Sequence, residues 1–144
     1  MKFWDSSAIV CLLANQPASS WAKSLQLRDG GLWVWWGTKP EAASALARLS
    51  REGALNLSEH EDALERLEAM TSLWSEVAPG ELLRETALRL LRVHPLRAGD
   101  ALQLAAAYTA SEHRPSTLEF VCLDKRLAEA ASREGFVVNF PVPV

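Results

Sequence analysis

Short apolar runs alternate with longer segments of helical period along this chain, and that alternation limits the folds open to it. Lys2-Phe3-Trp4 reads as a strand with Asp5 at its end. Ser6 to Ala14 is apolar at helical spacing. Pro17 opens a second helix carrying Trp21, Leu25 and Leu27, which stops at Gly30-Gly31. Leu32 to Trp36 is apolar throughout and bounded by glycines, as a buried strand would be. Thr38 is placed to cap the next helix, Pro40 falls in its first turn, and Ala45, Leu46 and Leu49 share one face. Ser58-Glu59-His60-Glu61 has the spacing of a capping box before a helix with Leu64, Leu67 and Met70. Leu73 to Val77 suits a short strand. Glu81 to Val93 is amphipathic, with Leu82, Leu83, Leu90 and Leu91 inward, and His94-Pro95 breaks it. Gly99-Asp100 starts an apolar helix over Ala101 to Ser111. Leu118 to Leu123 is β-rich, Asp124 caps Lys125 to Arg133, and Phe136 to Val138 is a last strand.

Strands separated by helices call for right-handed crossovers and a parallel sheet covered on both faces. The expected fold is therefore α/β, a three-layer α/β/α sandwich with a central parallel sheet. The 144 residues suit a single domain spanning 1–144. The two cysteines, Cys11 and Cys122, lie far apart in apolar runs, with no zinc-like spacing. That cysteine usage favours a reduced, cytoplasmic location. The apolar run Ala8 to Ala14 is a poor secretion signal, because Asp5 stands where positive charge is wanted. No stretch approaches the roughly 18 apolar residues of a membrane span.

In a sheet of this kind, ligands bind beyond the carboxyl ends of the strands. Most acids, such as Glu59, Glu61, Asp62, Glu65 and Glu68, belong to solvated helix faces. Four do not. Asp5 and Asp124 follow strands, Asp100 opens the apolar helix, and Glu41 lies just past the tryptophan-rich strand. Singly, each suits a helix N-terminus. Together, four ionised carboxylates at one sheet edge would repel each other, and a divalent cation would remove that repulsion. Hard oxygen donors without clustered His or Cys select Mg²⁺ or Mn²⁺. Neither a nucleophile motif nor a glycine-rich phosphate loop is present. The chemistry left open is metal-assisted hydrolysis of a phosphoester.

Four motifs carry a resemblance to a known family: Phe3-Trp4-Asp5-Ser6-Ser7-Ala8, Thr38-x-x-Glu41 with Ala45-Leu46, Leu96 to Ala105 around Asp100, and Phe120 to Leu127 around Asp124. Through them the chain resembles the PIN-domain ribonucleases of the VapC toxin type. The resemblance implies a metal-dependent endoribonuclease, the toxin of a toxin–antitoxin pair, with one or two Mg²⁺ or Mn²⁺ ions. It gives Asp5, Glu41, Asp100 and Asp124 the metal-binding and catalytic roles. Ser7 would orient the first Asp or the metal's water, and Thr38 belongs to the second motif. It also implies an RNA substrate, an antitoxin partner and a homodimer, and no membrane. The chain departs from the family at Cys122, where Thr or Ser is usual. That departure keeps open a PIN-like module that only binds RNA or protein. Two residues from Asp124 along a strand, Cys122 is expected on the same face, near the mouth of the site.

The net charge of −3 argues against coating nucleic acid by bulk charge, but setting the four acids aside leaves +1. Arg89, Arg92 and Arg97 precede Asp100 and are candidates to hold RNA phosphates; the alternative is a solvated face offsetting Glu81 and Glu85. Trp33, Trp35 and Trp36 suit core packing better than base stacking.

Overall fold

The computed structural model describes residues 1–141. Its elements run β1 (Lys2–Trp4), α1 (Ser6–Leu13), α2 (Ser19–Arg28), β2 (Leu32–Trp35), α3 (Thr38–Arg51), α4 (Leu57–Thr71), β3 (Ser75–Val77), α5 (Glu81–Val93), α6 (Ala98–Ala110), a 3₁₀ turn (Pro115–Thr117), β4 (Glu119–Val121), α7 (Lys125–Arg133) and β5 (Val137–Asn139). The five strands form one sheet in the order β3-β2-β1-β4-β5, parallel at every pairing. This is the expected α/β/α sandwich.

Both faces of the sheet are buried because its strands carry apolar residues on alternate sides. In β1, Phe3 enters one core with Trp35, Phe120 and residues of α5, α6 and α7. Its neighbour Trp4 enters the opposite core with Val34, Val121 and residues of α1, α2, α3 and α4. Phe3 and Phe120 stack at 5.5 Å across β1 and β4. Burying both rings contributes roughly 2–3 kcal/mol each. The sheet reverses its direction of growth at β1: the chain first moves outward to β2 and β3, then returns to β4 on the other side. Ligands of such sheets bind at the switch point, which here lies where β1 and β4 end, near Asp5 and Asp124.

Several local expectations are corrected. The capping box is Asn56 with Glu59: Asn56 Oδ1 accepts from the Glu59 amide, and Glu59 Oε1 accepts from the Asn56 amide. Ser58 sits inside the first turn instead. Gly37, not Thr38, is the N-cap of α3, and the site holds glycine because a Cβ there would meet Trp35 Nε1 at 2.4 Å. The tryptophan strand ends at Trp35, and Trp36 is 56% exposed. Leu27, Leu82 and Leu91 are exposed; Leu83, Ala87 and Leu90 form the buried stripe of α5. Among the described residues, no helix is long and apolar enough to cross a membrane.

Candidate active site

Each of the four acids stands where an element begins. Asp5 is the N-cap of α1, and its Oδ2 accepts from both the Ser7 amide and the Ser7 hydroxyl. The same hydroxyl oxygen accepts from the Leu123 amide at 3.0 Å. Ser7 thus ties the end of β1 to the segment leaving β4. The Asp5 amide donates to Val121 O at 2.9 Å, which holds the same two segments together through the backbone. Asp124 caps α7 by accepting from the Leu127 amide at 3.1 Å. Glu41 lies in the first turn of α3 and Asp100 in the first turn of α6.

The electrostatics record their proximity. Asp5 is buried, and its carboxyl is pushed up from 3.8 to about 7. Desolvation is the main cause, and the charges of Glu41 and Asp100 add to it against the two Ser7 hydrogen bonds. Burial and the charge of Asp100 raise Glu41, against a hydrogen bond from Gln103. Burial and the charge of Asp124 raise Asp100, with Arg97 and Arg126 opposing. Asp100 therefore links the group: it interacts with Asp5, Glu41 and Asp124.

The donor set is all hard oxygen, and three of its carboxyls resist ionisation in the absence of a cation. That chemistry fits Mg²⁺ or Mn²⁺ held by Asp5, Glu41, Asp100 and Asp124. Among the described residues, no three or more acid, imidazole or thiol side chains stand together closely enough to hold a metal ion as they are placed. An open, partly hydrated arrangement is the usual one for Mg²⁺, which keeps several of its waters.

Other expected residues are distributed unevenly. Thr38 is fully buried, and its hydroxyl accepts from Gln103 Nε2 at 3.0 Å. Arg97 lines a pocket with Asp100, Asp124, Lys125 and Arg126. Arg92 is exposed on α5. Arg89 is not a free phosphate ligand. It donates to Glu134 at 2.9 Å and sits over the Tyr108 ring, where Glu134 also takes His94 at 2.6 Å. Glu134 is the C-cap of α7 and Asp124 its N-cap, so Arg89 works at the opposite end of that helix from the acids. Cys122 does not stand at the mouth of the site. It is fully buried in the core beneath α6 and α7, and its thiol donates to the backbone oxygen of Asp124 at 3.6 Å. Burial, then the Asp5 charge, pushes the thiol up, so it stays protonated.

Gln103 was not singled out by the sequence reading. It is buried in α6, and its Nε2 reaches both Thr38 and Glu41. Its signal was available: it is the one polar side chain in the apolar run Ala101 to Ala107.

Comparison with known proteins agrees with this picture. No family model matches the chain. Ribonuclease VapC45 of Mycobacterium tuberculosis (strain CDC 1551 / Oshkosh) is 32% identical over 136 residues, covering 92% of this chain and 90% of that protein. Ribonuclease VapC49 of strain H37Rv gives the same identity and coverage. The chain belongs to the VapC family of PIN-domain ribonucleases. Among solved structures, a toxin–antitoxin complex from Klebsiella pneumoniae superposes with TM-score 0.67 at 16% identity over all of both chains. FitAcB from Neisseria gonorrhoeae superposes at 0.63, with 21% identity over 96% of each chain. PAE2754 from Pyrobaculum aerophilum gives 0.64, with 22% identity over 95% of this chain and 87% of that one. These structural likenesses concern the fold.

Proposed function

We propose that this protein is a metal-dependent endoribonuclease that hydrolyses RNA phosphodiester bonds and acts as the toxin of a toxin–antitoxin pair. Asp5, Glu41, Asp100 and Asp124 hold one or two Mg²⁺ or Mn²⁺ ions. When bound, the metal activates water and neutralises charge on the phosphate. Asp5 carries the reading: a buried carboxyl raised to about 7 by desolvation and two acidic neighbours is poised for a cation.

The chain's own residues set up the chemistry. Ser7 fixes one oxygen of Asp5 by two hydrogen bonds. Gln103 fixes Glu41 from the side. Asp124 is oriented by its bond from the Leu127 amide. Such supporting bonds hold metal ligands in productive geometry. The membership in a family of ribonucleases supports RNA as substrate. The toxin–antitoxin neighbours support an antitoxin partner. A homodimer and a cytoplasmic location belong to the same proposal.

Calorimetry with Mn²⁺ tests it against a module that only binds RNA or protein. The proposal expects binding by the intact protein and a loss of at least tenfold in affinity for Asp5→Asn. Equal Mn²⁺ affinity of the two proteins would reject it.

A further inference from the structure

Beside the acids lies a pocket whose walls are basic. Arg97, the N-cap of α6, contributes one cation. Lys125 and Arg126, the first two residues of α7, contribute two more, and Asp100 and Asp124 line the same pocket. All three cations are exposed to solvent. None of the three forms an ion pair with an acid among the described residues. Three cations and two carboxylates line this pocket at the N-termini of α6 and α7, so the wall facing away from the other acids is net positive.

We propose that Arg97, Lys125 and Arg126 form a positioning site for a backbone phosphate of single-stranded RNA, adjacent to the bond that is cut. This rests on the ribonuclease reading above and adds the direction in which the strand leaves the acids. A polynucleotide repeats its charge at every residue. One phosphate can therefore rest on the basic rim while its neighbour lies over the metal-binding acids. Lys125 and Arg126 make the assignment specific to this side of the cleft, because Asp124, which they follow directly, joins rim and acids in one turn. Arg89 takes no part, since Glu134 already neutralises it.

The test compares Arg97→Ala, Lys125→Ala and Arg126→Ala with Arg133→Ala, an exposed cation at the far end of α7. Two readouts are taken. The first is cleavage of a short single-stranded RNA with Mn²⁺, separated into kcat and KM. The second is binding of the same RNA by anisotropy in Ca²⁺ across a salt series. Loss of one phosphate contact lowers the slope of log K against log salt by about 0.7 for a single strand, which is roughly fivefold in affinity at about 0.1 M salt. Each rim variant is expected to show that lower slope and a similar rise in KM at constant kcat, with Arg133→Ala unchanged. Unaltered slopes with intact cleavage would overturn the rim and leave the ribonuclease standing. Altered slopes without any cleavage by the intact protein would keep the rim and reject the nuclease. Absence of both RNA binding and cleavage would reject both. Binding of an acidic peptide that falls with the same variants, while RNA binding does not, would reassign the rim to a protein partner and overturn the proposal.

Discussion

Gln103 Nε2 donates to Glu41 Oε1 at 2.6 Å, and this bond joins the N-terminal part of α6 to the first turn of α3. Helices from opposite faces of the sheet meet there. The same nitrogen reaches the Thr38 hydroxyl, so a single amide holds two residues of α3. Gln103→Leu keeps the volume and removes the donor. A hydrogen bond to a charged group contributes about 1.5–3 kcal/mol, and Glu41 would lose its fixed orientation. The variant is expected to unfold earlier in urea by about that amount and to bind Mn²⁺ more weakly. Unchanged stability and metal affinity would show that Gln103 is incidental.

Asp5 gives a pH dependence of definite sign. Its carboxyl titrates near 3.8 when exposed and at about 7 in the metal-free fold. Between those values the folded protein keeps a proton that the unfolded chain has lost, so stability falls as pH rises through that window. The size is on the order of 4 kcal/mol. Melting temperatures in chelator from pH 5 to 8 should therefore decline, and Mn²⁺ should flatten the trend. Asp5→Asn caps a helix about as well and carries no charge, so it should remove the decline. A decline of the same size in Asp5→Asn would assign it to other groups.

Glu134 has the opposite sign. Burial opposes its ionisation, but hydrogen bonds from Arg89, Tyr108 and His94 together outweigh that cost and bring it from 4.5 to about 2. Its contribution is present above about 4.5 and is lost as pH falls towards 2. Glu134→Gln should cost about 2–3 kcal/mol in urea unfolding at neutral pH, since three partners lose a charged acceptor. RNA cleavage per folded molecule should not change, because the cluster sits at the far end of α7 from Asp124. A large loss of kcat in the folded variant would contradict this separation.

Much of this was legible in the sequence, and the exceptions have physical causes. The order of strands and helices was readable because short apolar runs and helical stripes alternate without interruption. The acids were readable because a strand that turns into a helix needs a cap, and Asp5 and Asp124 stood at such turns. What failed was local choice between similar partners. Asn56 and Ser58 each stand three residues before a glutamate, Glu59 and Glu61, so spacing alone could not choose between them; the helix starts at Leu57, which makes Asn56 the cap. Arg89, a candidate for phosphate contact, pairs with Glu134, which is 45 residues away, and spacing carries no record of so distant a contact. Leu82 and Leu91 were expected inward, yet the narrow stripe through Leu83, Ala87 and Leu90 was enough to seat α5.

Cys122 tests a misplacement of the same kind. Its burial makes it a core residue beneath Asp124, whose backbone oxygen takes the thiol. Cys122→Thr is expected to cost about 1 kcal/mol through a poorly matched buried hydroxyl. Mn²⁺ affinity and cleavage rate should stay within twofold of the parent. A clear gain in either would return this position to the site.

The most direct measurement is cleavage of single-stranded RNA by the purified protein, with Mg²⁺ or Mn²⁺ and then with excess chelator, alongside Asp100→Asn. Asp100 interacts with each of the other three acids, so its charge is central to holding a cation. The account predicts internal cuts with metal, none in chelator, recovery when metal is restored, and a loss of at least a hundredfold in rate for Asp100→Asn. RNA cut equally well in chelator, or at the parental rate by Asp100→Asn, would contradict it.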